Sequence, residues 1–335
     1  MSGRISTIAL TIGDPNGIGP EIAIKAAIEL CSSADLRIIL VGDDHVVRHY
    51  GERCAADAKF HHIAAGSSSS GAILLYPIDA LPSSHFRPGQ IEGAAGRATV
   101  AYVEAAIDPV RKGAADAIVG CPHNEPAVNA AGIPFSDYPG LLARLTGTPE
   151  DKVFMMPVGG SLRILSATLH ERIRHALARL TPDVIEEAGL AWAATLKRLG
   201  VAIPQIGVFG INPPAGENGL FGDDDDRITA PAVARLRKAS VLAAVGAHII
   251  LGRKDIDGFV AIYHDQGHTP VKLLASRSAS ALSVGAGVLL SSVGHGSAFD
   301  IAGQNKADPS AAVRALRLIG NVPDDAPWQL PAGAA

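Results

Sequence analysis

The sequence has few aromatic residues, few cysteines, no surplus of basic charge and no long apolar run. Aromatic residues are only 4% of the chain, so a core must be built from Ala, Val, Ile and Leu. Cys31, Cys54 and Cys121 are widely spaced and form no disulfide or metal pattern, which favours a reducing cytoplasm. A formal charge of −4 argues against nucleic-acid binding. No stretch approaches the roughly 18 apolar residues that a membrane helix needs.

Length and composition predict a globular protein. A chain of 335 residues is too long for one small core, so one large or two medium domains are expected. Hydrophobic residues make up 47%, and the mean hydropathy of +0.22 excludes bulk disorder. The apolar stretch at residues 5–12 stops at Gly13-Asp14-Pro15, and it is too short and wrongly flanked for a signal peptide. We therefore expect a cytoplasmic protein.

Short apolar runs alternate with helical patterns along the chain. The predicted strands are residues 5–12, 36–41, 72–76, 117–119, 162–169, 205–209, 259–262 and 288–290. The predicted helices are residues 20–31, 44–51, 93–112, 171–180, 181–199 and 309–319. This alternation predicts an α/β fold, with a mostly parallel sheet covered by helices on both faces. No long linker marks a boundary, so any second domain is expected to be inserted into the first.

The segment TIGDPNGIGPEI at residues 11–22 combines a strand end, a glycine-rich turn and a helix start. Pro20 suits the first turn of a helix, and exposed amides at such a turn can bind an anion. The segment is not the dinucleotide pattern G-x-G-x-x-G, because Ile22 stands at the third glycine position. A tight turn without a ligand is an equally open interpretation.

The segment YHDQGHTPVK at residues 263–272 directly follows a predicted core strand. Ligands of α/β proteins lie beyond the carboxyl ends of strands, so its two imidazoles, carboxylate and amine indicate a site. A polar loop with a core histidine is the alternative. His170 stands at the end of another predicted strand, where it is either a ligand or a residue that caps the next helix.

Two further loops contain candidate polar residues. Residues 210–219 form a stiff loop, followed by four aspartates at residues 223–226 that we interpret as a solvated helix start. The Gly/Ser loop at residues 291–303 contains His295 and Asp300. Such a loop can surround a ribose or adenine, with the carboxylate accepting from ribose hydroxyls. A glycine-rich turn without a ligand is the alternative.

Together, the motifs GDPNGIGPE, NPPAGE, YHDQGH and SVGHGSAFDIAG resemble those of the 4-hydroxythreonine-4-phosphate dehydrogenase family, from about residue 5 to residue 319. The resemblance implies an isocitrate/isopropylmalate dehydrogenase-like fold, the cofactor NAD and a divalent cation such as zinc, magnesium, manganese or cobalt. It also implies a homodimer with active sites between the subunits. The expected domains are residues 1–125 with 285–335, carrying the NAD loops, and residues 126–284, carrying the metal and substrate side and the dimer interface.

The metal ligands of the family are only partly matched. Two of its three histidines correspond to His170 and His264, but the family pattern Asn-Pro-His-Ala-Gly has Pro214 at its third position here. Proline has no donor atom for a metal, so the site is weakened or rebuilt. His248 stands where the family usually has an aspartate, and we hypothesise that it replaces the lost ligand.

The substrate positions of the family also differ. Leu290 replaces an arginine, Ala281 replaces an asparagine and Tyr138-Pro139 replaces a His-Thr pair, so the best phosphate clamp is missing. Residues 121–125, 131–139 and 264–274 are instead similar to the terephthalate dihydrodiol dehydrogenase branch. That resemblance implies NAD-dependent oxidation and decarboxylation of 1,2-dihydroxycyclohexa-3,5-diene-1,4-dicarboxylate to protocatechuate. The branch keeps a histidine at position 214, so this chain differs even from it.

The expected roles combine what the resemblance implies with the His248 hypothesis. The expected metal ligands are His170, His264 and His248. The expected catalytic residues are Lys272, which pairs with a carboxylate or helps the proton step, and Asp265, a base or a residue that orients a ligand. The residues expected to bind substrate are His123, Asn124, Tyr138 and Lys272. The residues expected near NAD are Gly17, Gly19, His295, Gly296, Ser297 and Asp300, the last facing the ribose and favouring NAD over NADP.

Several points stay open at the level of sequence. His268 and His175 are interpreted as structural, and a second carboxylate clamp is not evident, with Arg163 or a partner-subunit residue as candidates. The alternative functions are a phosphorylated hydroxy-acid dehydrogenase of the same family, a transferase similar to phosphate acetyltransferases, and an inactive paralogue that binds a small molecule.

Overall fold

The computed structural model describes residues 5–54, 59–62, 73–160, 162–238, 244–245, 247–275 and 280–322, without the side chains of residues 244–248. The described chain divides into two compact units. Unit 1 comprises the residues up to Leu141 and those from Gly287 onward, and unit 2 comprises Leu142–Ala286. Within the residues described, no helix has both the length and the apolar character needed to cross a membrane.

Among its described residues, unit 1 has six parallel strands. They are β1 (Ser6–Thr11), β2 (Leu36–Gly42), β3 (Phe60–His62), β4 (Ile73–Pro77), β5 (Ala117–Gly120) and β12 (Leu290–Val293). Their order is β3-β4-β2-β1-β5-β12, and every pairing is parallel. β1, β2 and β5 are runs of small and branched apolar residues that are buried along nearly their whole length, as expected for strands covered on both faces.

The helices of unit 1 form two groups. They are α1 (Gly19–Leu30), α2 (Asp44–Cys54), α3 (Gly93–Arg111), α4 (Glu125–Ala130) and α11 (Ser310–Ile319), and α5 (Tyr138–Thr146) contains the boundary to unit 2. α1 packs against β2, α2 and α11, whereas α3 packs against β1, β5 and α4. This grouping is typical of a parallel sheet with helices on its two faces.

The part of unit 2 that the structure describes has six strands in mixed pairing. They are β6 (Phe154–Gly159), β7 (Leu162–Ser166), β8 (Ile206–Phe209), β9 (Ala244–Val245), β10 (Gly258–Ala261) and β11 (Ser280–Val284). Their order is β11-β6-β7-β10-β8-β9. β7, β10, β8 and β9 are parallel to one another, and β6 is antiparallel to both β11 and β7.

The two longest helices of unit 2 both cover its sheet. The helices are α6 (Ile173–Arg179), α7 (Pro182–Arg198), α8 (Ala230–Arg237), α9 (Ala247–Ile250) and α10 (His264–Ala275). α7 packs against β7, β8, β10 and β11, and α10 packs against β6, β7 and β10. α7 begins as predicted, because the Thr181 hydroxyl accepts from the Val184 amide and Pro182 occupies the first turn.

The predicted α/β class with mostly parallel strands is confirmed. Several elements differ from the sequence expectation. Residues 264–275 form a helix rather than a polar loop, and β6 and β11 were not predicted. The predicted solvated aspartate run is partly wrong, because Asp225 is 4% exposed and its two oxygens accept from the amides of Ile211 and Asn212. Asp225 therefore holds the loop after β8 in place.

Candidate active site

The glycine-rich turn after β1 is fully buried and joins several loops of unit 1. The Asp14 amide donates to the Pro122 carbonyl, and the Asp14 Oδ1 accepts from the Asn16 amide at 2.9 Å. The carboxamide of Asn16 accepts from the Arg87 amide and donates to the His85 carbonyl. Burial raises the pKa of Asp14 from 3.8 to about 7, because its charged form has lost water.

The two candidate glycines of this turn are required by the packing of the chain itself. A Cβ on Gly17 would lie 2.8 Å from the Ser297 Cβ, and a Cβ on Gly19 would lie 2.3 Å from the Ile12 carbonyl oxygen. The Ile18 amide between them donates to the Ser297 carbonyl at 2.9 Å. These contacts explain both glycines without a ligand, and their role in NAD binding stays a prediction.

The first residues of the predicted Gly/Ser loop belong to β12, and the remainder, from residue 294, meets the glycine-rich turn. His295, Gly296 and Asp300 are exposed, whereas Ser297 is buried and its hydroxyl donates to the His123 carbonyl at 2.7 Å. The structure therefore brings Gly17, Ser297 and His123 together. The exposed side chains of His295 and Asp300 remain accessible within this unit, as a cofactor contact requires.

His123 and Tyr138 lie in an aromatic cluster. The His123 ring contacts Phe135 and Tyr138 edge to face, with ring centroids 4.6 Å and 4.7 Å apart. Burial lowers the pKa of His123 to about 4, so its imidazole is neutral near pH 7. The Tyr138 hydroxyl donates to the Cys121 carbonyl at 3.4 Å, and burial raises its pKa.

Asn124 has a clear structural role. Its Oδ1 accepts from the Ala127 amide at 2.8 Å, which caps the N-terminus of α4. Thus the Asn124 oxygen and the Tyr138 hydroxyl are already hydrogen-bonded within the fold. Substrate binding by His123, Asn124 and Tyr138 stays a prediction.

Two imidazoles meet at the carboxyl edge of the sheet in unit 2. β7 and β10 are parallel neighbours, and their pairing continues past the strand ends, where the Thr168 hydroxyl donates to the Ile262 carbonyl. His170 follows β7 and His264 follows β10, and the centroids of their rings lie 4.9 Å apart. We call these two residues the imidazole pair. A cation about 2.1 Å from one nitrogen of each ring holds the ring centres roughly 5 Å apart, so the pair fits a shared divalent ion.

Neighbours on α10 orient His264. The Nδ1 of His264 lies 2.7 Å from the Asp265 Oδ1, so Nδ1–H donates to the carboxylate and Nε2 is left with its lone pair. A carboxylate behind a histidine in this way is typical of metal sites. The His268 ring stacks on His264 at 3.7 Å, and burial lowers the pKa of His268 to about 4. Lys272, one further turn along, is exposed on the same helix face.

A third metal ligand is not found in the described part of one chain. No group of three or more His, Cys, Asp or Glu side chains is arranged around an ion there. Pro214 lies in the loop after β8. Gln266 of α10 contacts the start of this loop, because its side-chain amide donates to the Gly210 carbonyl at 3.1 Å. His248 lies in α9, and its side chain lies outside the described residues. The imidazole pair therefore supplies two ligands, and the His248 hypothesis stays a prediction.

The imidazole pair lines a pocket of about 600 Å³ in unit 2. Its walls come from the connection between β7 and α6, from α6 itself and from the start of α10: residues 168–173, Ala176 and residues 263–265. Arg163 lies at the opposite end of β7, where its backbone pairs with Val158, and is not among the lining residues. The role of Arg163 as the second carboxylate clamp stays a prediction.

Two side chains of this site, Gln266 and Arg172, are not among the residues predicted from the sequence. Gln266 connects the ends of β10 and β8. Its Oε1 accepts from the Ile262 amide at 2.7 Å, and its side-chain amide donates to the Gly210 carbonyl. Arg172 lines the pocket but was treated only as part of a predicted helix. Gln266 could have been suspected from its place within the polar segment after β10, whereas an arginine at a helix start carries no such signal.

The described candidate residues thus form two sets. His123, Asn124, Tyr138 and the expected NAD contacts lie in unit 1, and His170, His264, Asp265 and Lys272 lie in unit 2.

Comparison with known proteins gives matches over nearly the whole chain. The family model described as pyridoxal phosphate biosynthetic protein PdxA matches residues 34–319. A 1,2-dihydroxy-3,5-cyclohexadiene-1,4-dicarboxylate dehydrogenase of Comamonas sp is 45% identical over 94% of this chain and 98% of the relative. A D-threonate 4-phosphate dehydrogenase of Cupriavidus necator is 37% identical over 95% of this chain and 97% of the relative.

Solved structures agree with the sequence matches. A terephthalate 1,2-cis-dihydrodiol dehydrogenase from Burkholderia xenovorans LB400 is 48% identical with a TM-score of 0.80. A 4-hydroxythreonine-4-phosphate dehydrogenase from Burkholderia phymatum is 34% identical with a TM-score of 0.85. Each match covers 95% of this chain and 98% of the other. These matches confirm the resemblance predicted from the four motifs.

Proposed function

The chain belongs to the PdxA family, whose relatives above are dehydrogenases, and from this premise we propose that it is an NAD-dependent, metal-assisted dehydrogenase of a cis-dihydrodiol dicarboxylate. The observation that carries the proposal is the 45% identity, over nearly the full length of both chains, to an enzyme named for that substrate. The imidazole pair supports the metal, and the exposed loop residues His295 and Asp300 support NAD.

The substrate has a hydroxyl and a carboxylate on one ring carbon and a second hydroxyl on the next. Oxidation breaks the C–H bond of the second carbon, its hydroxyl proton goes to a base, and bound NAD accepts the hydride. The product is a ketone beta to the carboxylate. The bond from ring carbon to carboxylate then breaks, carbon dioxide leaves, and the electron pair forms an enolate that becomes the aromatic diol protocatechuate.

The residues of unit 2 have separate tasks in this proposal. His170 and His264 hold a divalent cation, which when bound stabilises negative charge on the substrate oxygens as a Lewis acid. Asp265 keeps the Nδ1–H of His264 in place and leaves Nε2 for the cation. Lys272 pairs with a substrate carboxylate or helps the proton step, in which the enolate oxygen takes up a proton to give the catechol. The neutral His123 of unit 1 contributes to the substrate pocket.

A phosphorylated hydroxy acid is the second candidate substrate. It is favoured by the 37% identity to a D-threonate 4-phosphate dehydrogenase. The residues at the family's phosphate positions disfavour it. Leu290 is fully buried in β12 and Ala281 lies in β11, so neither position offers the guanidinium or carboxamide that would bind phosphate.

The purified enzyme should therefore oxidise 1,2-dihydroxycyclohexa-3,5-diene-1,4-dicarboxylate with NAD, forming NADH and protocatechuate in equal amounts. NADH absorbance and chromatography of the product measure the two, and 4-hydroxythreonine-4-phosphate and D-threonate 4-phosphate are assayed in parallel. A chelator should abolish turnover, and a divalent cation should restore it. Turnover with only a phosphorylated substrate, or with none, would contradict the proposal.

A further inference from the structure

We propose that Arg172 binds the distal carboxylate of the substrate and makes the enzyme selective for dicarboxylates. This inference rests on the proposed function and adds the second clamp that sequence analysis did not find. It depends on the place of Arg172, an exposed residue, in the pocket wall, on the charges of the other lining residues and on what the substrate requires.

The two carboxylates of the substrate stand at opposite corners of a six-membered ring. When the diol and the first carboxylate face the imidazole pair, the second carboxylate points away from it. A buried or half-buried carboxylate needs a cation or several donors, because an unpaired charge removed from water is strongly unfavourable. A cation in the pocket wall beyond the imidazole pair would meet this requirement.

Arg172 is a wall residue of the same pocket, two residues beyond His170. Its backbone is fixed at the start of α6, where its carbonyl accepts from the amides of His175 and Ala176 at 2.8 Å and 3.0 Å. Its guanidinium makes no ion pair or hydrogen bond with any residue that the structure describes. The side chain is thus available to a ligand, whereas its Cα is held in position.

The acidic groups that line the pocket are already paired. The Glu171 Oε1 accepts from the Nε and Nη2 of Arg179 at 2.8 Å and 2.7 Å. Asp265 accepts from the Nδ1 of His264 at 2.7 Å. Neither carboxylate contacts Arg172, so the guanidinium is the cationic side chain in the described pocket wall that is free to meet an anion.

A guanidinium suits this task better than an amine does. Its planar fork binds both oxygens of a carboxylate through two parallel hydrogen bonds. Loss of such a charge-assisted contact weakens binding by about 10- to 100-fold. The effect should fall on KM rather than on kcat, because the distal carboxylate does not react.

Two pairs of compounds test the proposal. For turnover, the dicarboxylate dihydrodiol is compared with 1,2-dihydroxycyclohexa-3,5-diene-1-carboxylate, which lacks the distal carboxylate. For binding alone, terephthalate is compared with benzoate by titration calorimetry. Arg172→Ala should raise KM for the dicarboxylate by about 10- to 100-fold and leave the monocarboxylate unchanged. It should also remove the preference for terephthalate over benzoate.

Two further variants complete the experiment. Arg172→Lys keeps the charge without the fork, so it should restore part of the dicarboxylate selectivity. Arg174→Ala removes an exposed arginine of α6 that does not line the pocket, so its kinetics should equal those of the wild type.

Three results would overturn the inference. Two of these results require that the wild-type enzyme is active. In the first, Arg172→Ala leaves the KM for the dicarboxylate unchanged. In the second, Arg172→Ala impairs the turnover of both dihydrodiols equally. Both results refute the role of Arg172 and leave the proposed function intact. A wild-type enzyme that oxidises neither dihydrodiol overturns the proposed function and this inference together.

Discussion

At the residue scale, Asp14 is a buried carboxyl group of unit 1 with a strongly raised pKa. It is wholly buried, one oxygen accepts from the Asn16 amide, and the other oxygen has no hydrogen-bond partner among the described residues. An ionised carboxylate in this position would be poorly solvated, which is why its pKa rises to about 7. Asp14 therefore keeps its proton in the folded protein over a pH range where the unfolded chain has released it.

This difference predicts that stability depends on pH. Between about pH 4 and pH 7 the folded state holds a proton that the unfolded state has lost, so the free energy of unfolding falls as pH rises. The loss is complete above the folded pKa and is on the order of 4 kcal/mol. Asp14→Asn, which is always neutral, should show a flatter dependence in urea unfolding and greater stability than the wild type at about pH 8.

Asp43 provides the control for this measurement. It is also buried in unit 1, but its oxygens accept from the amides of Ala80 and Leu81 and from the Tyr102 hydroxyl. Asp43→Asn should lose acceptor capacity and destabilise the protein, in contrast to Asp14→Asn. If Asp14→Asn had the same pH dependence as the wild type, ionisation of Asp14 would not contribute to stability.

At the element scale, the close packing of β10 against α7 supports the imidazole pair. Gly258 begins β10, and a Cβ there would lie 2.3 Å from Cζ2 of Trp192, a fully buried side chain of α7. Three residues after β10 ends, His264 begins α10. A displacement of β10 would therefore move one member of the imidazole pair.

Gly258→Ala should destabilise the protein by about 1–3 kcal/mol, because the added methyl group would overlap the fully buried Trp192 indole. It should also weaken metal binding by shifting His264. Gly252→Ala is the matched control, since a Cβ at Gly252 meets no atom within 4 Å. Thermal unfolding and a zinc titration measure both effects. Equal stability of the two variants would mean that the indole adjusts freely.

Elements with strong local patterns could be predicted from the sequence, and elements determined by tertiary contacts could not. β1 and β2 are continuous apolar runs, and both were predicted within two residues of their bounds. The sequence does not predict α10, because Gly267 and Pro270 have low helix propensity. Glycine is needed at position 267 because α10 packs closely on β7, where a Cβ would lie 3.0 Å from Ile164. β6 contains Pro157, which also argues against a strand.

The candidate site shows the same distinction. The approach of His170 to His264 could be predicted, because both follow strands, and parallel neighbours end at one edge of a sheet. The packing roles of Gly17 and Gly19 could not be predicted, since they depend on Ser297 and Ile12 contacts. The position of Arg172 in the pocket wall depends on the turn between β7 and α6, which no sequence pattern specifies.

At the scale of the whole molecule, the expected homodimer gives the last prediction. We expect the active site to combine residues of two subunits, with the imidazole pair from one chain and the NAD loop from the other. Asp300→Lys should inactivate the NAD loop, because it replaces a carboxylate expected to accept from the ribose, and Asp300 is exposed enough to change without unfolding. His264→Ala should inactivate the imidazole pair.

Each variant alone should form inactive homodimers. A heterodimer of the two variants, isolated by two different affinity tags, has one site that carries both changes and one site that carries neither. It should therefore recover about half of the wild-type turnover per dimer. If instead each site were built within a single chain, every site of the heterodimer would carry one change and no turnover would return. The recovered fraction thus distinguishes a site shared between subunits from one contained in a single subunit.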